Sequence, residues 1–252
     1  MNSTPGSPDG TNRKTAVIVG VLFIIGTVAG ILSFALAGPI LNAPDYLIEI
    51  SANKNQMIIA TLFLLSMGFA LAMIPVMMFP IFKKYNEALA LGYIVFRGAL
   101  ETVTYIATAI CWLLLIILSQ EYAKAGAPDV AYFRSIGAVF LEGSSSISNI
   151  LILVFGLGAL IFYSLLYQSK LIPRGLSIWG LIAILLHITT SFLLMFAFID
   201  PDSSILFVMN FPIFLQEMVM AVWLIVKGFD PSAIPFQSAR GFTSSAISSG
   251  SV

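Results

Sequence analysis

Six runs of apolar residues dominate this chain, at 15–37, 57–82, 88–119, 147–167, 176–199 and 204–227. A helix rises 1.5 Å per residue, so about 20 residues cover a hydrocarbon core of ~30 Å. Inside lipid, a segment must satisfy its backbone N–H and C=O groups itself, and runs of this length do so as helices. The expected fold class is therefore all-α, a polytopic membrane protein built as a bundle of six transmembrane helices. Composition agrees, because only 10% of the residues are charged, against about 25% in soluble globular domains.

The runs divide the chain into a polar, disordered N-terminal tail at 1–14, a six-helix membrane domain at 15–227 and a flexible C-terminal tail at 228–252. The third run exceeds a straight crossing, which predicts tilt or projection beyond the bilayer. The fourth has an uncertain outer boundary, since moderately apolar residues at 130–140 precede a polar patch from Glu142 to Asn149. Pro75 and Pro80 in the second run and Pro212 in the sixth predict kinks. Gly26 and Gly30 form a GxxxG pair that permits close helix contact. The first run closes on Ala35-Leu36-Ala37, a cleavage-like pattern. Its apolar stretch exceeds the ~7 to 15 residues of a signal core, which favours a retained span.

Basic residues set the expected orientation. Arg13, Lys14, Lys83, Lys84, Lys170, Arg174, Lys227 and Arg240 fall on one side, and only Lys54, Lys124 and Arg134 on the other. Both termini are expected to be cytoplasmic. The opposite side collects Asp45, Glu49, Glu121, Asp129, Asp200 and Asp202.

Ionisable groups within the runs are the informative exceptions, because each is costly in lipid. Counting from the basic ends at 1.5 Å per residue places Arg97 at ~14 Å, Glu101 at ~20 Å, His187 at ~18 Å and Glu217 at ~15 Å. All four sit near the bilayer middle. A charge facing lipid at that depth costs ~2.5 to 3.5 kcal/mol on insertion scales, so the four are expected to face inward and meet, with Glu217 pairing Arg97 and His187 closing the network by a hydrogen bond. Helical spacing adds a secondary polar lining of Thr104 and Thr108 beside Arg97 and Glu101, Thr190 beside His187, and Asn210 beside Glu217, with Asn149 on the fourth run.

Several chemistries are excluded or weakened. With 12 basic and 12 acidic residues there is no surplus of positive charge to hold nucleic acid. One cysteine, Cys111, and one histidine rule out an internal disulfide, a thiolate cluster and a multi-histidine zinc site. A carboxylate metal site would have to tolerate Arg97 at the same level, so neither a metal nor a cofactor is expected. A serine hydrolase pairing Ser145 with His187 fails on depth, ~33 Å against ~18 Å. The tyrosines and tryptophans, including Tyr85, Trp112, Tyr163, Tyr167, Trp179 and Trp223, suit packing or interfacial anchoring.

Three stretches carry a family likeness: the first run from Gly20 to Gly30, Phe96-Arg97-Gly98-Ala99-Leu100-Glu101, and Leu171-Ile172-Pro173-Arg174-Gly175-Leu176-Ser177-Ile178-Trp179-Gly180. Through them the chain resembles domain-of-unknown-function family 4386, a group of six-span prokaryotic membrane proteins. The resemblance implies a six-helix membrane bundle and supplies neither substrate nor catalytic residue.

Two readings of the buried ions stand open. In one, the chain is a small-solute or proton-coupled carrier, or a membrane binding module for a small anionic or lipid ligand, centred on Arg97, Glu101, His187 and Glu217. In the other, the same residues form a packing latch in a structural membrane component. An intramembrane enzyme is the lesser third class.

Overall fold

The computed structural model describes residues 8–124, 130–200 and 203–234. Residues 1–7 and 235–252, with Arg240, and the outer-face acids Asp129 and Asp202 lie outside the described residues. The elements are helical throughout the described residues. They run as α1 Pro8–Leu41, a short α2 Tyr46–Ala52, α3 Lys54–Phe82, α4 Glu87–Tyr93, a π-helical segment Ile94–Leu100, α5 Glu101–Tyr122, α6 Val130–Ser169, α7 Arg174–Met195, α8 Ser204–Val226 and a 3₁₀ turn Pro231–Ala233. Helix α4, the π segment and α5 are continuous and make one span, so six helices among the described residues are long and apolar enough to cross a membrane. The chain is a multi-pass membrane protein.

The spans pack as a ring, α1 against α3, α3 against α5, α5 against α6, α6 against α7, α7 against α8, and α8 back against α1. Small residues set the approach. A Cβ on Gly26 or Gly30 would lie 2.7 Å from the Leu71 side chain or 2.6 Å from the Met67 sulfur, so the GxxxG pair lets α1 lie directly on α3. One turn on, the buried Ser33 hydroxyl donates to the Ala60 carbonyl at 2.8 Å. Pro75, Pro80 and Pro212 lie inside continuous helices.

A polar chain ties α6, α7 and α8 together within the apolar interior. The fully buried Tyr163 hydroxyl donates to Gln216 Oε1 at 2.5 Å, and Gln216 Nε2 donates to the Leu176 carbonyl at 3.1 Å. The Tyr163 ring lies on Gly180, where an added Cβ would overlap it. Gly180→Ala should displace that ring, break its bond to Gln216 and lower stability by about 2 kcal/mol, since overpacking and an orphaned buried polar group each cost about 1 to 3 kcal/mol. Thermal unfolding in micelles checks this, with Gly175→Ala, at a glycine with open space beside it, as the neutral comparison.

Several element bounds differ from the sequence expectation. The fourth span begins at Val130 rather than near residue 147 and is 40 residues long. The polar patch from Glu142 to Asn149 is thus helix interior, because its serines satisfy themselves locally: Ser144 and Ser145 donate to the Leu141 carbonyl and Ser148 to that of Ser144. The added turns dock on α2 and the end of α5: a Cβ at Gly137 would meet Tyr46 and Leu47 of α2, and Arg134 is bonded to Asp45, just before α2, and to the Tyr122 hydroxyl of α5 at 3.1 Å each. At the basic end, α1 starts at Pro8, ahead of residue 15, because the Arg13 guanidinium donates to the last carbonyls of α8, those of Leu224, Ile225 and Val226. Residues 228–234, expected in a flexible tail, are fixed as well. Phe229 is buried, the Asp230 N–H donates to the Leu171 carbonyl at 2.9 Å, and the Tyr85 hydroxyl donates to the Ala233 carbonyl.

Candidate functional site

Arg97 lies in the π segment, where backbone bonds skip to the fifth residue; the Glu101 N–H, for example, donates to the Phe96 carbonyl. Such widened turns recur at functional positions. Neighbouring helices leave room for it. Gly98 faces the Pro75 ring of α3 at 3.4 Å from where a Cβ would sit, and on α6 a Cβ at Gly158 would lie 3.2 Å from the Arg97 backbone nitrogen.

The guanidinium is 3% exposed and Glu101 1%. Arg97 Nη1 donates to both oxygens of Glu101, at 3.2 and 3.1 Å, and the Tyr105 hydroxyl donates to Glu101 Oε1 at 3.0 Å. Arg97 Nη2 approaches Glu217 Oε1 at 3.6 Å, an ion pair longer than a hydrogen bond. The cation lies over the ring of Phe155 at 4.6 Å and near that of Phe23 at 5.9 Å. Burial therefore leaves the charge compensated by two acids and two aromatic faces from other helices.

Of the four residues expected to meet, Arg97, Glu101 and Glu217 do so directly. His187 joins differently from the expectation. Its Nδ1 bonds Asn210 Oδ1 at 2.6 Å, and its ring stands edge-on to Phe155 at 5.1 Å, so Phe155 separates it from the guanidinium. The imidazole has satisfied one nitrogen on α8 instead of closing the ionic network. Among the secondary residues, Asn210 is brought to His187, while Thr104 returns its hydroxyl to the Glu101 carbonyl and Thr190 to that of Leu186. Asn149 offers its carbonyl to the Ser191 hydroxyl. Thr108 lies elsewhere, in a second cavity of about 180 Å³ toward the acidic end, with Trp112, Ser144, Ser145 and Ser148. That separates Ser145 from His187.

The four main residues line one cavity of about 230 Å³. Every span contributes: Gly26 and Thr27 from α1, Met67 and Leu71 from α3, Arg97, Glu101 and Tyr105 from the third span, Leu151, Ile152 and Phe155 from α6, His187 from α7 and Glu217 from α8. On its basic side the ring is filled by aromatic side chains. Tyr93 stacks on Phe162 at 5.0 Å, with Phe82 and Phe23 packed around Phe162 at 5.9 Å each. Tyr105 and Phe155 were not among the residues singled out from the sequence. Tyr105 had a signal, standing four residues beyond Glu101 as Glu101 stands beyond Arg97, whereas nothing before the fold marks Phe155 among 20 phenylalanines.

No group of three metal-ligating side chains occurs among the described residues. The site's chemistry is thus that of a compensated cation, one firmly held acid and one loosely held acid in a small apolar chamber. Comparison with known proteins gives a single outcome. No curated protein and no solved structure matches the chain. A family model does, over residues 18–228, from within the first span to the turn after the last. The chain therefore belongs to the family described as Domain of unknown function (DUF4386).

Proposed function

We propose that this protein binds or carries a small solute in the prokaryotic cytoplasmic membrane, with the mid-membrane cavity as its seat and Glu217 as the group that meets the solute or a proton. One observation carries the reading: a chamber of about 230 Å³ to which all six spans contribute, with an ionisable side chain on three of them. Such a space is a little below the ~300 to 1,000 Å³ of drug-sized sites, which suits a solute of few atoms. The distribution of contacts supports it too. Glu101 holds Arg97 through two contacts and receives Tyr105, whereas Glu217, 17% exposed, has only the 3.6 Å approach.

The latch reading is weaker on the same facts. Its closest ionic contact, Arg97 to Glu101, lies within one helix and joins nothing to anything. Filling the chamber separates the two readings. Ile152→Trp should occupy the space at little cost to stability, and a latch is indifferent to that. The test is thermal unfolding of the purified full chain against a panel of small amines, carboxylates and amino acids. At about 100 times its Kd, a bound solute adds ~2.7 kcal/mol, which for a chain of this size raises Tm by about 5 °C or more. The shift should vanish in Ile152→Trp. A panel without any shift, or a shift kept in the filled variant, overturns the proposal.

A further inference from the structure

On the basic membrane face, the connection from α6 to α7 and the segment after α8 enclose a groove of about 450 Å³, lined by Lys170, Arg174, Lys227 and Trp223. We propose that this groove is a phosphate site, taking a phosphodiester or phosphomonoester group, independent of the mid-membrane cavity. Three cations from two separate stretches of chain converge on it, and none of them is among the ion pairs of the described residues. The positive-inside tendency asks for basic residues on this face but not for their convergence on one groove.

The walls are fixed rather than loose. Leu171 and Ile172 are buried at 0% and 2%, Phe229 is buried, and the Asp230 N–H bonds the Leu171 carbonyl across the groove. The lone acid in the lining, Asp230, is occupied, accepting from the Ser232 N–H at 2.9 Å and hydroxyl at 2.7 Å. Neither lysine has the obvious structural task. The carbonyls ending α8 are already met by Arg13, which leaves Lys227 free of that duty. Lys170 closes α6 at φ 58°, a left-handed position where glycine is the usual residue and any other is strained. Its side chain adds a charge to the groove lining. Trp223 stands one turn inside Lys227 at the depth where indoles meet headgroups, and basic pockets between spans on this face suit anionic headgroups.

The experiment uses the full chain in equimolar phosphatidylglycerol and phosphatidylcholine, with retained lipid read by native mass spectrometry, and a second arm with inorganic phosphate read by thermal unfolding. Lys170→Ala/Lys227→Ala is compared with Lys83→Ala/Lys84→Ala, which removes equal charge from the same face away from the groove. Because Lys170 and Lys227 are exposed, the first double variant should melt like the parent in phosphatidylcholine alone. Retention of phosphatidylglycerol should fall roughly 10-fold in that variant and hold in the control. Phosphate stabilisation without lipid preference, lost in the same variant, supports the site and assigns it to a soluble phosphate. Absence of both effects, or equal loss in the two double variants, overturns it.

Discussion

Replacing Arg97 by methionine is expected to destabilise the protein by about 3 to 5 kcal/mol, the usual cost of removing one partner from a buried ionic group. Methionine matches the guanidinium stem in length and still packs on Phe155 and Phe23, so little of the loss comes from a cavity. The cost arises because Glu101, 1% exposed, keeps only the Tyr105 hydroxyl as a donor, and Glu217 keeps no nearby cation. Adding Glu101→Leu and Glu217→Gln to the same chain should recover most of the loss, since removing the whole group also removes the charges left without partners. Unfolding temperatures of the single and triple variants in the same micelle decide it. A single variant within about 1 kcal/mol of the parent would show that the ions are hydrated and not mutually dependent.

The same residues show what a sequence can reveal in a membrane protein. Span number and the convergence of Arg97, Glu101 and Glu217 were legible because lipid imposes hard rules: backbone groups must pair within a helix, and a mid-membrane charge must turn inward. Depth along a span needs only a residue count, so three charges on two helices could be placed at one level before the fold was known. Rules of that kind stop at the membrane boundary. The start of α6 at Val130 depended on serines donating to their own helix and on Arg134 reaching Asp45, neither of which a hydropathy run encodes. Arg13 likewise lies far from α8 in sequence, and its capping of Leu224, Ile225 and Val226 appears only when the ring closes.

His187 failed for another reason. Depth and helical face put it at the right level, but an imidazole accepts whichever polar partner is nearest, and Asn210 on the adjacent α8 is that partner. The π segment was hidden as well. Its apolar residues read as ordinary helix, and the close approach that accommodates it, Gly158 against the Arg97 backbone, belongs to another helix. Pairwise geometry of this sort is a property of the assembled ring and not of any one run.

Glu217→Gln and Glu101→Gln should behave oppositely, and their contrast tests whether the cavity works or merely packs. Glutamine at position 217 keeps the shape and gives up one 3.6 Å ionic contact from a side chain that is 17% exposed. Its stability should stay within about 1 kcal/mol of the parent. Glutamine at position 101 loses a carboxylate that accepts from Arg97 and Tyr105 in full burial, and charged hydrogen bonds of this kind are worth about 1.5 to 3 kcal/mol each. A loss of about 2 to 4 kcal/mol is expected there. Function should divide the other way. In proteoliposomes loaded with a pH-sensitive dye, solute-driven proton movement should fall at least about tenfold in Glu217→Gln, because an amide cannot release or accept the proton that a positioned carboxylate transfers. If that variant moves protons as the parent does, Glu217 is a wall of the chamber and not its working group. If it instead unfolds as readily as Glu101→Gln, the long contact to Arg97 holds helices together, and the latch is the better account of why these ions are buried.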